Sequence, residues 1–500
     1  MTKFAALINK RSSVDGHAPW PRYVLDEAAW RTVTHLLRDG DCTLLGLWGE
    51  PGWIYMAIMR EVAPEIAVLS LYCPTGSFPS VGAIHPPAIR LERTVFDLVG
   101  LRAEGAVDRR SWLDHGRWGV RHPLGANVAA NETAPYPFLL SEGEGLHQIA
   151  VGPVHAGTIE PGHFRFTANG ETIVRLEERL GYAHRGLESR MAGAGVDHAA
   201  KLAGRASGDS TVAYSIAFSR AVEAALGVEA PVRAIWLRAL MAELERLANH
   251  IGDIGAICND ASFALMHTHC SVLRETVLRA CATVFGHRLM MDRVVPGGAA
   301  VDLTIPGIAI LRELVAAIRD RFPLLTALYD DTASLQDRTV GAGTLAPGLV
   351  RQFGAGGFVG RASGRAFDVR RALPYPPYDT LRFETPTRDA GDVNARVWIR
   401  IDEVEQSLAL IEQILGRLPE GPVCVEPPSG SGEGMALVEG FRGDVLAWVR
   451  VDRGLVARCH LRDPSWFQWP LLEACIEGNI VADFPLCNKS FNCSYAGVDL

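Results

Sequence analysis

Residues 231–254 read PVRAIWLRALMAELERLANHIGDI and form the strongest helical pattern in the chain. Pro231 stands at its start, where a first-turn proline is favoured. The large aliphatic residues then recur in steps of three and four, which places them on one face of a helix. These residues are Leu237, Leu240, Leu244, Leu247, Ile251 and Ile254. The pattern predicts a long helix at the centre of a helical bundle.

Further segments on both sides of this helix fit the same architecture. Helical spacing predicts the rest of the bundle at 212–226, 272–291, 308–328 and 403–415. Strand-like segments precede and follow the bundle, at 149–154, 163–168, 171–180, 445–451 and 455–461. We therefore expect an α+β domain over 149–500, with a mainly helical core and small antiparallel sheets.

The N-terminal part has a different pattern. A helix is predicted at 28–37 and strands at 42–48, 53–60 and 66–71, with turn residues at Glu50-Pro51-Gly52 and Pro74-Thr75-Gly76. We expect a small α/β domain over 1–125. The polar stretch that follows is interpreted as a linker over 126–148.

Bulk composition narrows the class of protein. The chain has 500 residues, too many for one ordinary core, so two or more domains are expected. Hydrophobic residues make up 48% and charged residues 21%, which is typical of a globular protein. The net charge of -8 and the lack of a basic stripe argue against nucleic-acid binding.

The ten cysteines form no CxxC pair, which favours a reducing compartment over a disulfide framework. The apolar stretch near Met1 is too short for a secretory leader, and no apolar run of about 18 residues predicts a membrane span. Any membrane role must therefore be exercised through a partner.

Spaced motifs over roughly 85–125 carry a first resemblance. They are Leu91-Glu92-Arg93, Phe96-Asp97-Leu98-Val99-Gly100, Asp108-Arg109-Arg110, Trp118 and His122-Pro123-Leu124. This region resembles the smaller soluble subunit of respiratory complex I, the 30-kDa type, which pairs with the quinone-site subunit.

A longer series of motifs over 150–500 resembles the large subunit shared by complex I, the 49-kDa type, and the NiFe hydrogenases. The series consists of Gly152-Pro153-Val154-His155, Pro161-Gly162-His163-Phe164-Arg165-Phe166, Gly181-Tyr182-Ala183-His184-Arg185-Gly186-Leu187-Glu188, Glu243-Leu244-Glu245-Arg246-Leu247, His250, Pro296-Gly297-Gly298, Arg361-Ala362-Ser363-Gly364, Asp368, Arg370, Pro374-Tyr375, Tyr378, Gly391-Asp392 and Arg396. Fusion of both units resembles the energy-converting membrane-bound hydrogenases of the formate hydrogenlyase and hydrogenase-4 type.

The resemblance implies a nickel site, yet the ligand residues differ here. In active NiFe hydrogenases two CxxC pairs hold the metals, the first within Arg-x-Cys-Gly-x-Cys. This chain has Arg205-Ala206-Ser207-Gly208-Asp209-Ser210, with serines at both ligand positions. Nickel needs soft thiolates, whereas a serine hydroxyl is hard and un-ionised near neutral pH.

The second pair is expected in Ser490-Phe491-Asn492-Cys493-Ser494-Tyr495-Ala496-Gly497. One alignment puts Ser494 and Gly497 at the ligand positions. The alternative alignment makes Cys493 a ligand and leaves one thiolate at most. Either alignment predicts that this chain holds no metal and no NiFe centre.

Two loop residues are candidates for the chemistry that remains. Glu160 matches an acidic residue that passes protons to and from the metal in the hydrogenases; the alternative is a carboxylate that caps a turn or pairs with an arginine. His155 matches the first histidine of the complex I quinone loop. Pro161 falls near the place of that loop's second histidine, so His155 as a loop histidine that binds backbone carbonyls is the alternative.

Arg205, Asp209 and Tyr214 complete the predicted catalytic set, because the resemblance places them beside the same cavity. Together with several hydroxyls they predict a polar, hydrated site. Such a site carries a proton wire or a polar headgroup; the alternative is a hydrogen-bond network that only supports packing.

The resemblance implies an oxidoreductase subunit of the NADH:quinone oxidoreductase and hydrogenase family, in which electron transfer is coupled to ion translocation. The implied partners are a small iron–sulfur subunit of the complex I 20-kDa type, a ferredoxin-like subunit and antiporter-like membrane subunits. The chain itself is expected to bind no cofactor, with a quinone as candidate acceptor, at the cytoplasmic face of the cell membrane. The alternatives are a non-catalytic scaffold of an ion pump and a true hydrogenase subunit.

Overall fold

The computed structural model describes residues 13–62, 64–129, 135–156 and 159–500. In the N-terminal part a four-stranded sheet has the order β2-β5-β4-β3, with β2 parallel to β5 and the other pairs antiparallel. Asp26 caps the first helix by accepting a hydrogen bond from the Ala29 amide. The elements are β1 His17–Ala18, β2 Arg22–Leu25, α1 Glu27–Arg38, β3 Thr43–Glu50, β4 Trp53–Arg60, β5 Glu65–Tyr72, β6 Ser77–Pro79, α2 Ile89–Val99 and β7 Arg102–Glu104.

Short strands and a three-stranded antiparallel sheet, β10-β11-β12, follow. The segment predicted as a linker, 126–148, contains the short strand β9 and the first residues of β10. The elements are β8 Val120–Arg121, β9 Val128–Ala129, β10 Leu146–Val151, β11 His163–Asn169 and β12 Thr172–Arg179.

The helical core is built around the helix predicted from residues 231–254, which spans Val232–Asp260 and packs against the helices on either side of it. The described elements of this part are α3 Leu187–Met191, α4 Val196–Ala203, α5 Thr211–Leu226, α6 Val232–Asp260, α7 Ala264–Phe285, β13 Val294–Val295, β14 Gly298–Ala299, α8 Ile305–Asp331, α9 Ala333–Thr339, α10 Pro347–Phe353, α11 Gly357–Arg361, α12 Val369–Ala372 and α13 Val393–Arg417.

Several helix boundaries differ from the predicted ones, and two of the differences have a clear physical cause. The helix predicted at 272–291 ends at Phe285, because Gly286 adopts a left-handed conformation with φ 74°. The helix predicted at 403–415 begins ten residues earlier, where Asp392 accepts a hydrogen bond from the Ala395 amide at 2.7 Å.

A mixed four-stranded sheet follows the helical core, with β1 parallel to β15 and the other pairs antiparallel. It has the order β1-β15-β16-β17, so a strand of the N-terminal part pairs with the C-terminal sheet. The elements are β15 Gly432–Glu439, β16 Asp444–Asp452, β17 Leu455–Arg462, α14 Ser465–Cys475, α15 Phe484–Phe491 and α16 Ala496–Asp499.

The two predicted units share an interface. The Arg462 guanidinium donates to the Leu45 carbonyl at 2.7 Å, and the Trp48 ring stacks on His460 with centroids 4.9 Å apart. The predicted fold class, α+β with a helical core and small sheets, is confirmed. Within the described residues, no helix combines the length and the apolar character needed to cross a membrane.

Candidate functional site

The four positions at which the resemblance implies metal ligands converge in space. We call Ser207, Ser210, Ser494 and Gly497 the serine cluster. Ser207 Oγ lies 2.8 Å from Ser494 Oγ, and the Gly497 amide donates to Ser494 Oγ at 2.9 Å. All four residues are buried. Contacts between 207 and 494 therefore connect the start of the helical core to the end of the chain.

The geometry distinguishes the two alignments of the second motif. Ser494 Oγ faces Ser207, whereas Cys493 Sγ lies 3.9 Å from Gln468 Oε1. Burial raises the pKa of the Cys493 thiol well above its ordinary value. Ser494, not Cys493, thus occupies the position beside the first motif, and the neighbouring sulfur is a protonated thiol.

An ion pair borders the serine cluster. The Arg442 guanidinium donates to both carboxylate oxygens of Asp209, and the Arg442 Nη1–Asp209 Oδ1 distance is 2.7 Å. Ser207 Oγ also donates to Asp209 Oδ1 at 2.8 Å. Burial alone raises the pKa of Asp209, but the paired guanidinium and these hydrogen bonds hold it below its ordinary value. Asp209 is therefore an anion that accepts hydrogen bonds.

A second carboxylate fills the space beside Gly497. Tyr214 donates its hydroxyl hydrogen to Asp463 Oδ2 at 2.7 Å, and the Ser465 amide donates to Asp463 Oδ1 at 2.8 Å. A Cβ atom placed on Gly497 would lie 2.5 Å from Asp463 Oδ2 and 2.9 Å from Ser494 Oγ. A cysteine at 497 therefore does not fit unless this carboxylate moves.

These residues do not fit a nickel–iron centre. The three serines offer neutral hydroxyls, and glycine offers no side-chain ligand. Across residues 13–62, 64–129, 135–156 and 159–500 there is no group of three or more His, Cys, Asp or Glu side chains that could hold a metal ion. We therefore derive no reaction step through such a centre.

Glu160 contacts the backbone beside Gly497, whereas His155 contacts its own loop. Glu160 is exposed, and its Oε2 accepts a hydrogen bond from the Ala496 amide at 2.9 Å, which is the turn-capping alternative. His155 Nε2 lies 2.8 Å from the Gly162 carbonyl oxygen, which is the loop-histidine alternative. The proton and quinone roles of these residues stay predictions.

Arg205 was predicted to line the same cavity as Asp209 and Tyr214, but its side chain lies elsewhere. Its guanidinium forms an ion pair with Asp292 at 2.7 Å, and its side chain is 40% exposed. Arg205 follows the end of α4, and its side chain folds back to the Lys201 carbonyl of that helix. The guanidinium beside Asp209 belongs to Arg442 instead.

Glu245 and Asn249 of α6 position the start of α5. Glu245 accepts hydrogen bonds from the Val212 and Ala213 amides at 2.7 and 3.1 Å, and Asn249 donates to the Asp209 carbonyl at 2.8 Å. Burial raises the pKa of Glu245 to about 8 despite these donors. The two side chains hold the backbone that carries the first motif.

A buried ionic network lies beyond the serine cluster. We define the ionic network as Glu243, Arg246, Arg361, Asp368, Arg370, Glu403 and Glu439, all of which are buried. Arg361 pairs with Glu403 at 2.7 Å and with Glu439 at 2.9 Å. Arg370 pairs with Asp368 at 2.7 Å and with Glu243 at 2.8 Å. The network connects α6, α11, α12, α13 and β15.

Sequence analysis found one part of this arrangement and missed another. The motifs from Glu243 to Arg396 contain most of the ionic network, although their pairing was not predicted. Arg442 and Asp463 were missed because no motif contains them. Only their contacts with Asp209 and Tyr214, more than 200 residues away in sequence, identify them.

Comparison with known families matches both parts of the chain. Residues 50–134 match the respiratory-chain NADH dehydrogenase 30 Kd subunit family, and residues 260–431 match the 49 Kd subunit family. The two matches occur in the order expected from the motifs.

Individual proteins match over most of their length. The chain is 31% identical to formate hydrogenlyase subunit 5 of Escherichia coli, over 84% of this chain and 77% of that protein. It is 30% identical to hydrogenase-4 component G of Escherichia coli, over 89% of this chain and 80% of that protein. A solved chain of the membrane-bound sulfane sulfur reductase, an archaeal respiratory membrane complex, aligns with a TM-score of 0.68 and 27% identity, covering 71% of this chain and 99% of that chain.

Proposed function

The chain belongs to the family of fused complex I 30-kDa and 49-kDa subunits that includes formate hydrogenlyase subunit 5 and hydrogenase-4 component G, and on this premise we propose that it serves an oxidoreductase complex that works without nickel. It is a subunit of the complex I and hydrogenase type, and its relatives belong to membrane respiratory complexes. The observation that carries the nickel-free proposal is the 2.8 Å contact between Ser207 Oγ and Ser494 Oγ.

The chemistry of the cluster supports this proposal. Ser207 donates to the Asp209 carboxylate, so its own oxygen can accept a hydrogen from Ser494. Asp463 occupies the space that a side chain at 497 would need. The hydroxyls and the Asp209–Arg442 pair suit a polar acceptor molecule or a proton path better than a soft metal.

In the proposed complex, electrons reach this site from an iron–sulfur cluster in a small partner subunit, which is supplied by a ferredoxin-like subunit. Antiporter-like membrane subunits carry the translocated ion, and this chain lies at the cytoplasmic face of the membrane. Glu160, which accepts a hydrogen bond from the Ala496 amide, passes protons between the serine cluster and solvent. A quinone bound near His155 is one acceptor consistent with this arrangement.

A sulfane sulfur compound is a second candidate acceptor. The likeness to the membrane-bound sulfane sulfur reductase, which covers 99% of that chain, favours this candidate. A scaffold that docks partners without electron transfer is the non-catalytic alternative.

Metal analysis of the purified complex tests the nickel-free proposal. We expect iron without nickel, a cluster signal in the electron paramagnetic resonance spectrum on reduction, and no dihydrogen evolution. Stoichiometric nickel, together with dihydrogen turnover that follows the nickel content, would overturn it. Iron-free complex without a cluster signal would instead support the scaffold.

Acceptor assays of the reduced complex test the electron-transfer part. Reoxidation of the partner's iron–sulfur cluster is followed with a short-chain quinone and, separately, with polysulfide. We expect one of the two acceptors to reoxidise the iron–sulfur cluster rapidly. Asp209→Asn should slow this reoxidation, while the iron–sulfur cluster is still reduced normally. Arg205→Gln is the matched control, because Arg205 pairs with Asp292 outside the serine cluster.

A further inference from the structure

A pocket of about 440 Å³ lies apart from the serine cluster, and the buried part of its lining includes the charged residue Arg220. The pocket lies between α5, the first half of α6 and the segment from Tyr375 to Tyr378. Its walls are mostly apolar and include Trp20, Ile216, Ile235 and Met435. Its size falls in the range of small-molecule sites.

Arg220 supplies a positive charge to this pocket. Its guanidinium lies over the Tyr375 ring, 4.2 Å from the centroid. Among the residues that the structure describes, no carboxylate or carbonyl accepts a hydrogen bond from Arg220. Burial lowers the pKa of Arg220 below its ordinary value, since the charge has lost much of its hydration.

In the part of the chain that the structure describes, Arg238, the second arginine of the pocket, has the hydrogen-bond acceptors that Arg220 does not have. Arg238 donates to both carboxylate oxygens of Glu223, at 2.5 and 3.0 Å, and to the Gly298 carbonyl at 2.9 Å. Glu223 also accepts a hydrogen bond from the Gly297 amide. Glu223 is therefore paired with Arg238 and accepts no hydrogen bond from Arg220, and the charges of Glu223 and Arg238 act on the pKa of Arg220 in opposite directions.

A partly buried charge without a counter-ion is costly, so an anion that pairs with it is favoured. The ring of Tyr375 covers one face of the guanidinium, which leaves its N–H edge for a planar, bidentate acceptor. The carboxylates of Glu223 and Glu229 in the lining disfavour a dianion. The apolar walls suit a hydrocarbon body.

We propose that this pocket binds a small monocarboxylate, with its carboxylate on Arg220 and its apolar body against the walls formed by Trp20, Ile216 and Met435. The site is separate from the serine cluster. Tyr378, which lines the pocket, donates its hydroxyl hydrogen to Glu243 of the ionic network at 2.7 Å, so the pocket adjoins that network.

Calorimetric titration of the full-length chain tests the site. The probes are benzoate and hexanoate, with benzamide and hexanamide as uncharged analogues of the same shape. We expect the acids to bind about 10- to 100-fold more tightly than the amides, because only the carboxylate forms a charge-assisted bidentate pair with the guanidinium. Arg220→Gln should remove this preference, and Arg220→Lys should keep part of it.

Arg417→Gln is the matched control. The Arg417 guanidinium also lies over an aromatic ring, that of Trp236 at 5.2 Å, but it donates to Thr380 and does not line the pocket. This variant should bind benzoate as the natural chain does. A thermal melt of each variant verifies folding, and Arg220→Gln should melt no lower than the natural chain.

Three results would overturn the proposal: no binding of either acid, equal binding of acid and amide, or an unchanged preference in Arg220→Gln. The titration is repeated with the purified complex. Binding to the free chain but not to the complex would show that a partner subunit fills the pocket, which also overturns a small-molecule site.

Discussion

The ionic network and the serine cluster approach each other at the end of β15. Glu439, the last residue of this strand, belongs to the network, and Arg442, in the turn that follows, pairs with Asp209 beside the cluster. The network is a set of buried charges, paired across five elements. The serine cluster consists of three hydroxyls and a glycine, and a single ion pair, Asp209–Arg442, borders it. The ionic network is therefore held by paired charges, whereas the serine cluster is held by hydrogen bonds between neutral groups.

This difference has a physical basis. Removing one partner of a buried ion pair leaves an uncompensated charge, so each member of the network constrains the others. The serines of the cluster are neutral. Ser207 bonds to Ser494, and Ser210 accepts a hydrogen bond from Arg442, so these hydroxyls need no metal to satisfy their hydrogen bonds. The two regions should therefore respond differently to substitution.

The largest effect is expected in the ionic network. Glu403→Ala removes the carboxylate that accepts hydrogen bonds from Arg361 and lies 2.7 Å from His250 Nε2. We expect the free energy of unfolding to fall by about 3–5 kcal/mol, since the Arg361 charge is left buried and underpaired. Urea denaturation measures this change.

Glu405→Ala is the control for that substitution. Glu405 lies on the same helix, but its side chain is 44% exposed and pairs only loosely with Arg319, at 3.4 Å. A loss below about 1 kcal/mol is expected here. Equal losses for Glu403→Ala and Glu405→Ala would contradict a special role for the buried network.

A smaller effect is expected when a cysteine is introduced into the serine cluster. Gly497→Cys places a Cβ atom against Asp463 Oδ2, so the carboxylate must shift from its bonds to Tyr214 and Ser465. We expect a loss of about 1–3 kcal/mol in the free energy of unfolding, as is typical of overpacking. Ser207→Cys, at a position that already has a side chain, should cost less.

The combined variant sharpens this test. It carries Ser207→Cys, Ser210→Cys, Ser494→Cys and Gly497→Cys together. If it binds nickel stoichiometrically without loss of stability, the cluster is still shaped for the metal, and the contrast with the ionic network disappears.

The charge balance of the ionic network predicts a pH dependence. It has four carboxyls and three guanidiniums. Burial raises the pKa of Glu439 above the ordinary 4.5, and the negative charge of Asp368 raises it further. Three arginines oppose this shift: Arg361, Arg246 and Arg370. The folded chain therefore retains a proton that the unfolded chain releases.

The sign follows from that retained proton. The contribution of Glu439 to stability is fully present below pH 4.5 and is lost as pH rises through the higher folded pKa. The slope is at most about 1.4 kcal/mol per pH unit for one proton. Glu439→Gln should flatten the dependence of unfolding free energy on pH in this range. An unchanged profile would show that Glu439 is ionised throughout.

Much of the fold could be predicted from local pattern. The period of apolar residues from Leu237 to Ile254 predicted α6, and strand-like apolar runs bounded by turn residues predicted β3, β4 and β5. Strand β15 was not predicted, because its sequence begins Gly432-Glu433-Gly434 and lacks strand formers there. Helix α14 was not predicted either, since Pro470 interrupts its pattern.

The site was less predictable for a different reason. The positions 207, 210, 494 and 497 came from motif resemblance, and the structure brings them together. Arg442 and Asp463 act only through long-range contacts, which a local pattern does not encode. Arg205 illustrates the converse: its motif was recognised, but the direction of its side chain depends on Asp292.

Arg205→Gln should therefore have the smallest effect of the series. Its pair with Asp292 is partly exposed on both sides, at 40% and 32%, so solvent and salt weaken the attraction. We expect a loss of less than about 1 kcal/mol in unfolding free energy, and a smaller loss at high salt. The measurement is urea denaturation at two ionic strengths. A salt-independent loss as large as that of Glu403→Ala would mean that Arg205 is a buried partner of the cluster, because only a desolvated charge escapes screening in this way.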